Sequence, residues 1–197
     1  MDTISRDRAT KILHRKEVSF FTVADARKIF RVKKANTLYK LLQRLEKSEV
    51  IKRAMKGKYQ FLLNEVNDFE SANYLVNPSY ISLESALSFY GILPQFSYTI
   101  TSVTPLKSKK THYREKEYEF AHLDKKYFFG FVKKNKFLIA SPEKALLDEL
   151  YFMAKNLRKV HFQDLDLTPI SKKRLKILSR QYRFTPLKNL LKKTGLC

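Results

Sequence analysis

A leucine repeat in the first third of the chain constrains its fold more than any other feature. Leu38, Leu41, Leu42 and Leu45 recur at spacings of three, four and seven residues. This spacing places all four side chains on one face of an α-helix. Residues 34–47 are therefore predicted to form a helix that packs through its leucines and turns its polar face outward.

The segments on either side of this helix extend the pattern. Before it, FTVADARKIF predicts a short helix that Thr22 caps, with Asp25 in its first turn, and an earlier helix is predicted from Thr3 to His14. After it, EVIKRAM and KYQFLL are rich in β-forming residues and flank Lys56-Gly57, which suits a tight turn. Three helices followed by a hairpin predict a winged helix-turn-helix domain over residues 1–65.

The charge of the chain points to a polyanionic partner. Its 197 residues carry a net charge of +21, and self-repulsion at such a charge destabilises a compact state. Residues 1–65 hold 17 Lys and Arg against 7 Asp and Glu, and residues 155–197 hold 12 against 2, whereas the middle is nearly neutral. Nucleic acid is the first candidate partner and an anionic membrane surface the second, with contacts expected at both ends of the chain.

Residues with suitable chemistry for duplex DNA lie on the outer face of the leucine helix and on the hairpin. The side-chain amides of Asn36 and Gln43 suit adenine and the guanidinium of Arg44 suits guanine, whereas lysines suit phosphates. The predicted DNA-binding set is Lys33, Lys34, Asn36, Thr37, Lys40, Gln43, Arg44, Lys47, Arg53, Lys56 and Lys58. Two alternatives remain: a basic face that only meets solvent, and a winged helix that binds protein instead of DNA.

The rest of the chain, residues 66–197, predicts a second domain of the α+β class. The asparagine-rich stretch Asn64–Ser79 is interpreted as a linker. A helix with Ser82 as its cap then precedes several strands, which are expected to form a small antiparallel sheet. SPEKALLDELYFMAKN is the clearest helix, because Ser141 and Pro142 suit its start. In this helix Asp148 and Glu149 are expected to face solvent, and the alternative for Asp148 is an ion pair with a basic helix.

Two basic helices are predicted to end the second domain. They carry Lys172, Lys173, Arg174, Lys176, Arg180, Arg183, Lys188, Lys192 and Lys193. A second contact with the DNA backbone, a face for an acidic protein partner and a solvated amphipathic face are three interpretations that the sequence leaves open.

Motifs of catalysis and of cofactor binding are not found in the sequence. It has no phosphate-binding loop of the G-x-x-x-x-G-K type and no G-x-S-x-G. The four histidines, His14, His112, His122 and His161, lack the spacing of a metal site, and Cys197 has no histidine near it. We therefore expect no enzyme, cofactor or metal. The alternative is a DNA-targeted nuclease, for which Glu117, Glu119, Glu143, Asp148 and Glu149 are the available carboxylates.

The single cysteine and the hydropathy pattern bear on location. One cysteine excludes a disulfide within the chain and fits a reducing compartment. The first residues mix acids and bases without an apolar stretch, and no segment reaches the length of a membrane span. A cytoplasmic protein without a membrane partner is expected.

Two segments of the second domain resemble a known family. PSYISLESALSFYGILPQFSYTITSVT (residues 78–104) and FLIASPEKALLDELYF (residues 137–152) are similar to segments of the AbiEi antitoxins of bacterial abortive-infection operons. In that family a YIS…SAL…G helix precedes an IT.VT strand, and an A.PEKALLD.LY helix follows a hairpin. The winged helix in front matches the layout of the family, so the resemblance covers nearly the whole chain.

The resemblance implies a function as well as a fold. It implies an N-terminal winged helix-turn-helix followed by an antitoxin domain, and a repressor that binds the operator of its own toxin–antitoxin operon. It also implies a functional partner, a toxin that resembles a nucleotidyltransferase and is neutralised without a stable complex. The DNA-reading role is carried over to the second helix and the hairpin. The alternative is a winged-helix transcriptional regulator or a nuclease without an antitoxin role.

Overall fold

The protein is an α+β protein that divides into two compact units. The computed structural model describes residues 4–95, 98–159 and 162–196. The units are Met1–Asn67 and Asp68–Cys197. Within the described ranges there are eight α-helices, a three-stranded antiparallel sheet and a six-stranded mixed sheet. No helix in those ranges is both long and apolar enough to span a membrane.

The first unit packs three helices against a three-stranded sheet. Its elements are α1 (Arg6–Arg15), β1 (Phe20–Thr22), α2 (Val23–Phe30), α3 (Ala35–Lys47), β2 (Ile51–Met55) and β3 (Lys58–Phe61). The predicted helices and hairpin are confirmed, although α1 begins at Arg6 after its cap Ser5, and Thr3 lies outside the described residues. β1 was not predicted. It lies antiparallel to β3, so the sheet has the order β1-β3-β2.

A capping box fixes the start of α2 beside the sheet. The backbone N–H of Asp25 donates to Thr22 Oγ1 at 3.1 Å, and the backbone N–H of Thr22 donates to Asp25 Oδ2 at 2.9 Å. These two reciprocal bonds satisfy N–H groups that the first turn of a helix otherwise leaves free. Hydrogen bonds from the backbone and side chain of Thr22 hold the pKa of Asp25 below its usual value.

Loss of this box should destabilise the first unit. We expect Asp25→Ala to lower the free energy of unfolding by about 1 kcal/mol, because it removes the carboxylate that accepts from the backbone N–H of Thr22. Urea denaturation followed by circular dichroism measures the change. Glu46→Ala, on the exposed side of α3, is the control and should stay within about 0.5 kcal/mol of the original protein. Equal effects of the two substitutions would contradict the role of the box.

The second unit is built on a six-stranded mixed sheet. Its strands are β4 (Tyr80–Ile81), β5 (Ile100–Thr104), β6 (Lys109–Tyr113), β7 (Lys116–His122), β8 (Phe131–Lys134) and β9 (Phe137–Ala140), in the order β6-β7-β5-β4-β9-β8. Its helices are α4 (Asp68–Leu75), α5 (Leu83–Phe89), α6 (Pro142–Ala154), α7 (Lys172–Ser179) and α8 (Thr185–Lys193).

The predicted small antiparallel sheet is wrong in two respects. The hairpins β6–β7 and β8–β9 are antiparallel, but β5 lies parallel to β7 and β4 lies parallel to β9. These parallel contacts join strands that other elements separate in the chain. Sequence periodicity identifies a strand and its adjacent hairpin, whereas it carries no information on such distant partners.

The predicted linker is also wrong. Residues 68–75 form α4, which buries Ser71, Ala72 and Leu75. Asn73 suggested a loop, but its side chain has a structural role: its amide donates to the backbone oxygen of Ser79 at 3.4 Å and its carbonyl accepts from the backbone of Leu138 at 2.6 Å. The asparagine therefore connects α4 to the residue before β4 and to β9.

Helix α6 lies at the centre of the second unit. As predicted, Ser141 caps it, accepting from the backbone N–H of Lys144 at 3.2 Å, and Pro142 opens it. Helices α5, α7 and α8 all contact it. Residues 143–152 are buried without interruption, so the prediction that Asp148 and Glu149 face solvent is wrong. A helix enclosed by other elements has no solvent face on which to place its charges.

Candidate nucleic-acid interface

The outer face of α3 presents the predicted DNA-binding residues together. Leu38 and Leu45 are fully buried and Leu41 and Leu42 nearly so. Burial of this leucine face turns the opposite face to solvent. Every predicted residue of the helix is exposed, as are the two lysines before it; these are Lys33, Lys34, Asn36, Thr37, Lys40, Gln43, Arg44 and Lys47.

Five of these side chains line a shallow groove along α3, named here the α3 groove. Its lining is Thr37, Lys40, Gln43, Arg44 and Lys47. Three positive charges and one amide thus lie along three turns of one helix, and none of the lining residues is acidic. An amide and a guanidinium on an exposed helix have the donors and acceptors that base edges in a major groove require.

The N-terminus of α3 adds to the positive character of this face. Lys34 is the residue before the helix, and its side chain makes no capping hydrogen bond. The first turn contains no acidic residue. The free N–H groups and the positive end of the helix dipole are therefore uncompensated by the side chains of this turn, which favours an anion near Lys33 and Lys34.

The hairpin β2–β3 carries the remaining predicted residues. Arg53 and Lys56 are exposed, and Lys58 is half-buried. Gly57 occupies the turn with φ of +74°, a conformation that side chains disfavour. Its carbonyl accepts from the backbone of Val23 at 3.1 Å, so the tip of the hairpin is attached to the start of α2.

Tyr39 belongs to the same surface and was missed from the sequence. It lies on α3 and is 51% exposed, although aromatic side chains are usually buried. Burial raises the pKa of Tyr59 on β3, Arg53 opposes this effect, and Glu46 and Tyr39 add to it. Helix α3, which carries Tyr39, contacts strand β2 of the hairpin. Its position could have indicated this exposure, because Tyr39 lies off the leucine face and between Asn36 and Gln43 in the sequence.

Arg44 has a structural contact besides its place in the α3 groove. Its Nη2 donates to the backbone oxygen of Ile4 at 3.3 Å. A substitution of Arg44 therefore changes the packing of the segment before α1 as well as the surface charge. Lys40 and Lys47 form no ion pair among the described residues, so they are cleaner positions for testing the interface.

The carboxylates considered for a nuclease site are not assembled into one. Glu143 accepts a hydrogen bond from the backbone of Ser171 at 3.2 Å. Glu119 pairs with Lys110 at 3.0 Å and with Arg158, and Glu117 lies 3.8 Å from Lys110. Within the described residues, no group of three His, Cys, Asp or Glu side chains is placed to hold a metal ion.

Asp148 lies in a buried polar cluster of the second unit. Its carboxylate accepts from Tyr80 at 2.9 Å, Ser82 at 2.8 Å and Tyr182 at 2.9 Å, and it pairs with Lys144. All five side chains are fully buried. Burial lowers the pKa of Lys144, against the opposing effect of Asp148. Burial and the Asp148 charge raise the pKa of Tyr80 and of Tyr182 well above the usual value. The cluster is a closed packing element.

The other residues singled out in the sequence are dispersed. His14 lies 3.3 Å from the side chain of Asn64, and His122 Nδ1 lies 2.8 Å from the backbone oxygen of Leu106. His112 is exposed on β6. His161 and Cys197 lie outside the described residues. All nine basic residues of the two last helices and their flanking positions, Lys172, Lys173, Arg174, Lys176, Arg180, Arg183, Lys188, Lys192 and Lys193, are exposed.

Comparison with known proteins adds no assignment. No protein-family model matches the chain, and a search of curated proteins finds no match.

Proposed function

We propose that this chain is a DNA-binding antitoxin that represses its own toxin–antitoxin operon. The first unit acts as a winged helix-turn-helix, with α3 as the recognition helix and the β2–β3 hairpin as the wing. One observation carries the proposal: the exposed face of α3 is basic and amide-bearing along its length, and strand β2 of a basic hairpin contacts the same helix.

Each part of this surface has a distinct task in the proposed complex. The α3 face enters the major groove, where Asn36, Gln43 and Arg44 contact base edges. Lys33, Lys34 and the hairpin contact phosphates on either side of the groove and fix the register of the helix on the duplex. Binding over a promoter excludes RNA polymerase. Because phosphate contacts supply much of the affinity, binding should weaken steeply as salt rises.

The antitoxin role rests on the resemblance of the second unit to AbiEi proteins. The PEKALLD segment, residues 142–148, is the strongest part of that resemblance. Its residues are explained by packing, since α6 is enclosed and its charges are buried. The segment therefore supports a domain fold shared with that family. The partner that we propose from the same resemblance is a nucleotidyltransferase-like toxin that is neutralised without a stable complex.

Charge reversal on α3 tests the DNA-binding part. We expect Lys40→Glu/Lys47→Glu to weaken binding to a duplex from the upstream region of the operon by roughly 100-fold at 0.15 M salt. The reason is that two phosphate attractions become repulsions. Fluorescence anisotropy with this duplex and with a scrambled duplex of equal composition gives both affinities. Circular dichroism checks that the fold is intact.

The control variant carries the same reversals elsewhere. Lys125→Glu/Lys126→Glu in the second unit should bind the upstream duplex as the original protein does. Equal binding of upstream and scrambled duplexes by the original protein at every salt concentration would overturn the proposal that it is a repressor. Co-expression with the toxin of the same operon tests the other half: restored growth supports the antitoxin, and unrelieved toxicity leaves a winged-helix regulator alone.

A further inference from the structure

A second concave surface of the first unit, named here the α1 groove, has no assigned role. It has a volume of about 790 Å³ and lies between α1, the end of α2 and the start of α3. Of the fifteen described residues that line it, eight are Lys or Arg and none is Asp or Glu. Three of these eight are Lys33, Lys34 and Arg44, and the other five are Arg8, Arg15, Lys16, Lys28 and Arg31.

The groove combines an apolar floor with a cationic rim. Phe30 and Leu41 in its floor are buried, and Ile12 and Ile29 are half-buried. The five newly considered cations are all exposed, and none of them forms an ion pair with another described residue. The positive charges therefore lie next to one another on the three helices of the unit and the segments beside them. Besides the hydrogen bonds from Thr22, the Lys28 charge lowers the pKa of Asp25, which lies outside the lining of the groove.

Arg31 occupies a backbone position on the rim that glycine would also fit. It follows α2 with φ of 53° and ψ of 35°, the left-handed conformation in which helices usually place glycine or asparagine. Any residue with a Cβ costs about 1 kcal/mol there relative to glycine. Glu17 after α1 and Glu49 after α3 also have positive φ, so Arg31 contributes to the groove through its charge and not through an unusual backbone.

The α1 groove and the α3 groove share two lining residues, Thr37 and Arg44. A duplex that lies on α3 therefore meets the rim of the α1 groove next. We propose that this groove binds the phosphate backbone of DNA flanking the bases that α3 reads. The inference rests on the proposed function and extends its footprint to α1 and to the α2–α3 connection.

The number and spread of the charges favour a duplex over other anions. A free phosphate is satisfied by two or three donors, whereas eight cations along a groove match a polymer that carries a negative charge every ~1.7 Å of its axis. An acidic peptide is the competing occupant. The continuity of the two grooves favours DNA over a peptide, because a duplex bound on α3 extends directly into the α1 groove.

Two variants test the inference by the salt dependence of binding. For Arg31→Gly we expect the slope of log K against log salt to become shallower by about 1, because one phosphate contact is lost. For Arg8→Gln/Arg15→Gln/Arg31→Gly we expect a change of about 3. Both variants should weaken binding to the upstream and scrambled duplexes by the same factor, since phosphates carry no sequence information.

Stability measurements separate this role from a structural one. Arg31→Gly should leave the midpoint of thermal unfolding unchanged or raised, because glycine relieves the left-handed strain. Lys11→Gln, on α1 but outside the groove, is the control and should leave the salt slope unchanged.

The outcomes distinguish the inference from the proposed function. An unchanged slope in the triple variant, with sequence-specific binding retained, overturns the inference and leaves the repressor in place. Binding of polyglutamate, a model acidic peptide, is measured on the same proteins. If the triple variant loses polyglutamate binding while its salt slope for DNA is unchanged, the groove binds an acidic peptide and the inference is overturned. A wild-type protein with no preference for its upstream duplex overturns the proposed function itself.

Discussion

Asp148→Ala should lower the free energy of unfolding of the second unit by about 3–5 kcal/mol, the cost typical of removing one partner of a buried ion pair. The carboxylate of Asp148 accepts hydrogen bonds from Tyr80, Ser82 and Tyr182 and pairs with Lys144. Its removal leaves a buried ammonium group without its counter-charge and three hydroxyl groups without an acceptor.

In the Asp148→Ala protein, the other neighbours of Lys144 replace only part of the stabilisation that Asp148 gives to its charge. Its Nζ donates to Tyr182 at 2.8 Å and lies 5.0 Å from the ring centroid of Phe129. Contacts between a cation and aromatic rings contribute about 1–2 kcal/mol when desolvated, which is less than the cost of an unpaired buried charge. In the Asp148→Ala protein the lysine should therefore release its proton or draw water into the core.

A double variant separates the pair from its surroundings. Lys144→Met/Asp148→Leu replaces both charges with apolar side chains and should recover the part of the lost stability that comes from the unpaired ammonium group. The hydroxyl groups of Tyr80, Ser82 and Tyr182 still lack their acceptor in this variant, so recovery should be incomplete. Urea denaturation of the original protein, Lys144→Met, Asp148→Leu and the double variant gives the coupling between the two positions. Glu117→Ala, at a partly exposed carboxylate on β7, is the control and should cost less than about 1 kcal/mol. A cost for Asp148→Ala no larger than that of Glu117→Ala would contradict the importance of the cluster.

This expectation bears on how loss of function in the PEKALLD segment should be interpreted. A substitution there that abolishes antitoxin activity is expected to act by unfolding the second unit. The proposed operator binding through α3 is the companion readout, because α3 belongs to the other unit. Variants that lose toxin neutralisation while the second unit stays folded are the ones that identify contact residues.

The parts of the fold that were predictable are those in which local pattern and burial agree. The leucine spacing of α3 defined a buried face, and the opposite face followed from helix geometry. Ser141 and Pro142 marked the start of α6, and Gly57 marked the turn of the hairpin. In each case one short stretch of sequence contains all the information that the element requires.

The failures involve partners that are distant in the sequence. Lys144 and Asp148 are spaced as an exposed i, i+4 pair would be, and charged residues are rarely buried unless they are paired. The residue that closes the pair against solvent is Tyr182, 34 positions further along the chain. The parallel contacts of β5 with β7 and of β4 with β9 are distant in the same way.

The exposure of the predicted α3 residues was predicted more completely than the fold of the second unit, for a physical reason. A binding surface must face solvent, and an exposed helix face can be identified from the buried one. All predicted α3 residues are exposed for this reason. The α1 groove was missed because its charges come from three elements, and their proximity depends on packing that no single periodicity describes.

Glu149 is a buried carboxyl group of α6, and it lacks the partners that Asp148 has. The side chain is fully buried, and neither carboxyl oxygen has a hydrogen-bond partner among the described residues. Burial raises its pKa from 4.5 to about 8; Glu84 adds to this effect and Arg158 opposes it. Arg158 is itself paired with Glu84 and Glu119, which limits its effect on Glu149.

The raised pKa predicts the direction in which stability depends on pH. At neutral pH the folded protein holds a proton on Glu149 that the unfolded chain releases. The contribution of this group is fully present below pH 4.5, declines as pH rises and is lost above about pH 8. Glutamine retains the shape of the side chain and has no proton to lose. Glu149→Gln should therefore remove this decline.

We expect the Glu149→Gln protein to equal the original in stability near pH 4.5 and to exceed it by about 2–4 kcal/mol at pH 8.5, since each pKa unit corresponds to about 1.4 kcal/mol. Urea denaturation from pH 4.5 to pH 9 measures the difference. Glu115→Gln, at an exposed glutamate, should give a difference that does not grow with pH. If the Glu149→Gln and original proteins lose stability in parallel as pH rises, Glu149 is charged in the folded state at neutral pH, and a cation or a hydrogen-bond donor must lie beside it.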